Sequence, residues 1–261
     1  YGIPRPRPFG QLEEVIEIVR LLIERTDPVD YDGTIFRMNN AIMSVPPHGG
    51  KCPPLLVTGG PGKALDFAGR LGDGWAVFLP PCGTAEWYAE RVQEIKRTAE
   101  RYGKDPDKLI FAAAFMTLID DDEQAVERAV NSPALRWDAA ATLPSTLPWK
   151  QAGFTNPLGE DWAYSRDLIP MEWTREDALK IIDQVTPEMV RSLRVCGRPE
   201  DAARQIQPYI EAGCNYLWAA NYLGVVAQGD WGGAESGGAK ALFDTYAHLR
   251  DLNGQPQPAA R

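Results

Sequence analysis

The chain has 261 residues, 44% hydrophobic and 24% charged, an ordinary globular balance with enough apolar material for a core. Its net charge of −9 argues against nucleic acid or an anionic membrane surface as a partner. No apolar run reaches the length of a membrane span, no signal peptide is visible, and Cys52, Cys82, Cys196 and Cys214 are scattered without a CxxC spacing. These features predict reduced thiols in a cytoplasmic protein.

In chain order, Arg5, Arg7 and alternating prolines make an extended lead-in, and Gln11 to Arg25 reads as a helix. Leu12, Val15, Ile16, Val19, Leu22 and Ile23 fall on one face at helical spacing, with Glu13, Glu14 and Glu17 on the solvated side. Asp32-Gly33 is a turn signal between Val29–Tyr31 and Thr34–Met38, which predicts a small hairpin. Pro46 to Gly50 is a loop, and its His48 reads as solvent-facing, with no acidic or nucleophilic partner near in sequence.

Leu55 to Phe78 organises the rest. Leu55 to Thr58 is an apolar run that suits a strand covered on both faces. Gly59 and Gly60 follow, with no side chains to keep a ligand off the backbone. Pro61 stands where a helix begins, and Leu65, Phe67, Ala68 and Leu71 give that helix an apolar stripe. Asp73-Gly74 then turns the chain into a second strand, Trp75 to Phe78. This is a right-handed βαβ unit with parallel strands. Backbone amides of the Gly59–Gly62 turn and the first turn of its helix would converge on one spot, where the helix dipole favours an anion such as phosphate. The alternative is a tight βα turn whose glycines merely permit the geometry. The spacing matches neither the dinucleotide fingerprint nor the P-loop.

Leu79-Pro80-Pro81-Cys82-Gly83 is a loop at the carboxyl end of that second strand, the edge where parallel α/β folds bind ligands. Cys82 there reads as an inert small side chain, since no adjacent cation lowers its pKa. Thr84 caps a helix that ends at Gly103, and Leu109 to Ile119 is a third strand. The acids Asp120 to Glu123 lack the loop spacing of a divalent-cation site and read as helix N-terminal carboxylates, so no metal site is predicted. The stretch 131–173, with Trp137, Trp149, Trp162 and Trp173, reads as a Pro- and Trp-rich insertion. It is expected to form a lid or pocket wall over the strand ends, or a dimer contact. Helices after Thr174, from Pro187 and from Pro199 to Ala212 precede a fourth strand at Tyr216–Ala220. A glycine-rich loop at 229–238, read as mobile, and a terminal helix to Leu252 lead into a polar tail, 253–261.

Four strands of parallel type, each followed by a helix, predict a parallel α/β fold. Pro53-Pro54-Leu55-Leu56-Val57-Thr58-Gly59-Gly60-Pro61, followed by Ala68-Gly69-Arg70-Leu71-Gly72-Asp73-Gly74-Trp75, resembles the middle of the bacterial luciferase-like superfamily of flavin- and F420-dependent oxidoreductases. Asn39-Asn40-Ala41, Pro46 to Lys51, Asn156-Pro157-Leu158-Gly159 and Asp167-Leu168-Ile169-Pro170 look most like its phthiodiolone ketoreductase group, which uses coenzyme F420.

The resemblance implies a (β/α)8 TIM barrel of which this chain carries the C-terminal half, a single domain over 1–252 with the insertion at 131–173. The strands starting at Leu55 and Tyr216 would then be open edges. It also implies hydride transfer between reduced F420 and a carbonyl or alcohol carbon. The alternatives are an FMN-dependent monooxygenase, and an inactive half-barrel that only pairs with a partner subunit. The family's usual catalytic histidine lies in the absent half, so no catalytic residue is assigned. Val57, Thr58, Gly59 and Gly60 match the turn that contacts the cofactor and its phosphate in F420-binding relatives. Leu79 to Cys82 lacks the lysine of the related sugar-phosphate dehydrogenases, which favours an apolar, lipid-like substrate. The expected partners are that small molecule and either a second copy of the chain or the missing N-terminal half.

Overall fold

The computed structural model describes residues 8–45, 47–60, 62–226 and 237–254. The lead-in at 1–7, most of the glycine-rich loop and the tail beyond Gly254 lie outside the described residues. The chain divides into two compact units, 1–76 with 91–111, and 77–90 with 112–261. Strands and a helix run from one into the other.

In the first unit, helix α1 spans Pro8–Glu24 and begins on a proline, whose preset φ suits a first helical turn. Strands β1 (Val29–Asp32) and β2 (Arg37–Ala41) form the expected antiparallel hairpin, with the second strand starting later than the sequence suggests. The cause is Glu14. Its carboxylate accepts hydrogen bonds from the backbone N–H groups of Thr34 (2.8 Å), Ile35 (3.0 Å) and Phe36 (2.8 Å) and holds those residues out of the strand. Glu14 is therefore buried, not solvated, while Val15 is exposed. A carboxylate that replaces its water shell with three amide donors is a stable buried acceptor.

Strand β3 (Leu56–Thr58), helix α2 (Lys63–Arg70) and strand β4 (Gly74–Leu79) make the predicted βαβ unit. β3 and β4 are parallel, with Leu56 opposite Gly74 and Thr58 opposite Ala76. Asp73 sets that register. Its carboxylate binds Arg20 of α1 at 2.8 Å and the Leu55 amide at 2.9 Å, and its own amide donates to the Leu55 carbonyl at 2.8 Å. Helix α3 (Ala85–Arg101) and strand β5 (Ile110–Ile119) follow. The Ile110 amide donates to the Asp73 carbonyl, and a Cβ on Gly74 would lie 1.9 Å from the Ile110 carbonyl oxygen. Only glycine fits there.

In the second unit β5 is the central strand. It pairs in parallel with β7 (Tyr216–Asn221) along 112–117 and with the short β6 (Val195–Gly197) along 117–119. Three residues are too few to announce a strand, so β6 is not visible in the sequence pattern. Among the described residues β3 and β7 each have a single strand partner, so the strands close no ring.

Helix α4 (Glu123–Val130) precedes the stretch 131–173, which holds three short helices, α5 (Pro133–Ala141), α6 (Thr146–Gln151) and α7 (Tyr164–Asp167). Helices α8 (Arg175–Ile182) and α9 (Pro187–Arg191) pack onto α5, and Thr174 and Thr186 cap them. Trp149 is fully buried in this layer and its indole N–H donates to the Met189 carbonyl at 3.0 Å. Trp173 packs edge-on against both Trp137 (5.1 Å) and Trp162 (6.0 Å). Trp149 is core, while Trp137, Trp162 and Trp173 are half-buried. Helices α10 (Pro199–Glu211), α11 (Leu223–Val226) and α12 (Gly237–Leu252) complete the unit. Tyr209 of α10 packs edge-on against Phe115 at 5.2 Å and Tyr88 at 6.3 Å, covering one face of the strands.

Asp73→Ala removes two charge-assisted bonds and should lower unfolding stability by about 2–3 kcal/mol in urea titration. Trp149→Ala leaves a large cavity and should cost about 3–5 kcal/mol by the same measurement.

Candidate functional site

The glycine turn sits at the carboxyl end of β3. Val57 is buried, whereas Thr58, Gly59 and Gly60 are exposed. Trp75, opposite Val57 and wholly buried, donates its indole N–H to the Gly59 carbonyl at 3.0 Å and fixes the turn from beneath. Gly59 has φ +136° and an added Cβ would lie 3.0 Å from the Ala64 methyl, so a side chain there is both strained and crowded. Around Gly60 and Gly62 the situation is the reverse: an added Cβ meets nothing within 4 Å. The backbone there borders open space.

Gly62 is the N-cap of α2, and no side chain caps that end among the described residues. Asp66 in the first turn would oppose an anion, but its carboxylate lies 3.6 Å from the Arg70 guanidinium, which also pairs with Glu13 at 2.6 Å. That second pairing holds the Glu13 carboxyl below its ordinary range, with the Arg70 hydrogen bond as the largest cause. The structure thus places Val57 and Thr58 at the end of β3 and Gly59 and Gly60 directly after it, exposed from Thr58 onward. Two supports of this bend escaped the sequence pattern: the Trp75 hydrogen bond, and a Lys104 ammonium that donates to the Gly72 carbonyl.

In the second unit, side chains on one face of β4, β5 and β7 border a separate small recess of about 20 Å³, room for about one water. Phe78, Met116, Trp218, Ala220 and Tyr222 are among its lining residues. The Phe78 and Trp218 rings lie 6.4 Å apart, tilted by 52°, and both are strongly exposed, at 43% and 56%. The sequence marked the strand ends as a ligand edge but gave no sign that these rings meet on the strand face.

Other candidates resolve into structural roles. Burial pushes the Cys82 thiol up, away from reactivity. Asp122 accepts from the Gln124 amide and caps α4, while Asp120 accepts from the Asp122 amide. Among the described residues no group of three His, Cys, Asp or Glu side chains could hold a metal ion. His48 is exposed on a single 3-10 turn. Among the described residues no helix is long and apolar enough to cross a membrane.

The model of the luciferase-like monooxygenase family matches residues 1–216. A phthiodiolone/phenolphthiodiolone dimycocerosates ketoreductase of Mycobacterium kansasii is 27% identical over 223 residues, covering 85% of this chain and 59% of the relative. Coenzyme F420-dependent tetrahydromethanopterin reductase from Methanopyrus kandleri superposes with a TM-score of 0.62 at 19% identity, over 82% of this chain and 58% of that one. An F420-dependent secondary alcohol dehydrogenase superposes with a TM-score of 0.57 at 20% identity, over 84% of this chain and 58% of the other. The chain therefore spans about three fifths of the length of the relatives it matches. A strand, glycine turn and helix followed by a parallel strand, in a chain matched over 216 of its residues, make this protein a member of the luciferase-like monooxygenase family.

Proposed function

We propose that the chain is the C-terminal half of a luciferase-like barrel and takes part in hydride transfer between reduced coenzyme F420 and a carbonyl or alcohol carbon. The observation that carries this reading is the open backbone at Gly60 and Gly62, beside the side-chain-free N-terminus of α2. A phosphoryl group fits such a cradle, because amide donors and the helix dipole meet it without a side chain in the way. Thr58, Gly59 and Gly60, with the Val57 backbone, would hold the phosphate end of the cofactor. When bound, the deazaflavin supplies the hydride; the protein's part is to hold and orient it and to exclude water. The two F420-dependent structures support this cofactor, and the ketoreductase relative supports an apolar carbonyl substrate.

The incomplete barrel has a physical correlate. Parallel sheets are normally covered on both faces. In the second unit one face lies under α10, whereas Phe78, Tyr216 and Trp218 stand exposed on strands β4 and β7. We infer that further strands cover this face, from an N-terminal half or a second copy. The four unpaired thiols suit a reducing, cytoplasmic setting.

Titration of the chain with F420 and with FMN, read by cofactor fluorescence, tests the assignment. Saturable quenching of F420 alone is expected; binding of FMN alone would assign a flavin monooxygenase, and binding of neither an inactive partner subunit. Gly60→Asp places a carboxylate in the cradle without touching protein atoms. It should weaken F420 by roughly tenfold or more, about 1.4 kcal/mol, while leaving the melting temperature unchanged.

A further inference from the structure

In the first unit a strand edge and a helix stripe lie side by side without a partner. Helix α1 carries Leu12, Val15, Ile16, Val19, Leu22 and Ile23 on one face, yet of these only Ile16 is buried and Val15 is 41% exposed. Strand β3 has β4 on one side and, among the described residues, no strand on the other. Helix and strand border a groove of about 380 Å³, lined by Leu12, Val15 and Val19 of α1 and by Leu55 to Thr58. Leu12 to Val19 spans about 10 Å of helix, and three strand residues also run about 10 Å. The groove therefore follows the whole of β3.

Two kinds of contact are on offer there. The strand edge presents main-chain N–H and C=O groups, and the helix presents apolar side chains. A small apolar molecule answers only the second. An extended chain answers both, with its backbone against β3 and alternate side chains against α1. The topology supplies its direction. Helix α2 joins β3 to β4 and packs on β3, as a crossover helix does on the strands it connects. Helix α1 comes before β3 in the chain and leaves part of its stripe bare, so the strand it lacks is one that precedes it. A right-handed crossover puts that strand parallel to β3, on the side away from β4.

We propose that this groove seats one further strand, parallel to β3 and apolar at alternate positions, from a segment ahead of α1, and that seating it tightens the hold on the cofactor. This rests on the half-barrel reading above. The link is Thr58, which is both the last residue of β3 and the first exposed residue of the bend, with Gly59 and Gly60 directly after it. Trp75 of β4 holds the Gly59 carbonyl from one side, and among the described residues no strand holds β3 from the other. Glycine backbone has the most freedom to lose, so a bend ordered beforehand takes its ligand at a smaller entropic cost.

The test joins a Thr-Val-Thr-Ile-Thr-Val segment ahead of Tyr1 of the full chain through a Gly-Ser linker of about 12 residues, which keeps it at an effective concentration of order 1 mM. In hydrogen exchange, amides among Leu56 to Thr58 should exchange roughly tenfold more slowly in the fusion than in the unfused chain. F420 should bind the fusion severalfold more tightly. The same fusion with prolines in place of its valines should show neither change, and nor should Val15→Lys carrying the original segment, whose lysine replaces an exposed side chain. Equal exchange in all these proteins overturns the proposal. So does an unfused chain whose β3 amides are already protected in a concentration-dependent dimer, which would assign the groove to a second copy. Slower exchange with F420 affinity unchanged overturns the link to the cradle. Slower exchange with F420 bound by no sample supports the strand seat and overturns the cofactor reading, so the two failures are distinct.

Discussion

Asp73 is the residue on which the order of the first unit depends. One carboxylate meets Arg20 of α1 and the amide that enters β3, and the same residue's carbonyl receives the Ile110 amide at the start of β5. Three elements are tied at one point. Strand register has a period of two, and a slip of one residue would exchange buried Val57 with exposed Thr58. The Trp75 indole could then no longer reach the Gly59 carbonyl. The open cradle at Gly60 and Gly62 is thus a consequence of pairing set at Asp73, 11 to 13 residues further along the sequence. Gly74 next to it is required for a different reason, because the Ile110 backbone occupies the space of any side chain.

The second unit rests on the burial of β5. Ala113, Phe115 and Thr117 are almost entirely hidden, Phe115 against Tyr209 of α10, whereas Phe78 and Trp218 on neighbouring strands stand open. Exposed aromatic rings on the face of parallel strands are expensive in water and useful to a covering strand. The Arg194–Asp138 pair shows the same economy of position. A buried cation is a weak source of stability, and the Arg194 guanidinium also stands 5.0 Å from the Tyr222 ring centroid.

Much of the fold was legible in the sequence, because the strands are continuous apolar runs and the helices have a period near 3.6. The βαβ unit, β5, β7, the hairpin and the Thr174 and Thr186 helices all carry such local signals. Glu14 did not: nothing in its neighbours shows that three amides from 34–36 will surround it. The helices within 131–173 were hidden because prolines divide them into pieces of four to nine residues, too short for a period to register. Their tryptophans suggested a lid or a contact surface, yet the rings are engaged with one another and with Met189.

By itself the sequence determined the parallel α/β class and the bend Val57–Gly60. Both are local: apolar runs make strands, and consecutive glycines leave bare backbone wherever they occur. Only the tertiary structure decided which parts of that bend stay accessible, and that Phe78, Met116, Trp218 and Tyr222 share one recess with Arg194 behind it. Those residues come from separate strands as far as 144 positions apart, Phe78 to Tyr222, and pairing in space, which no local pattern encodes, is what brings them together.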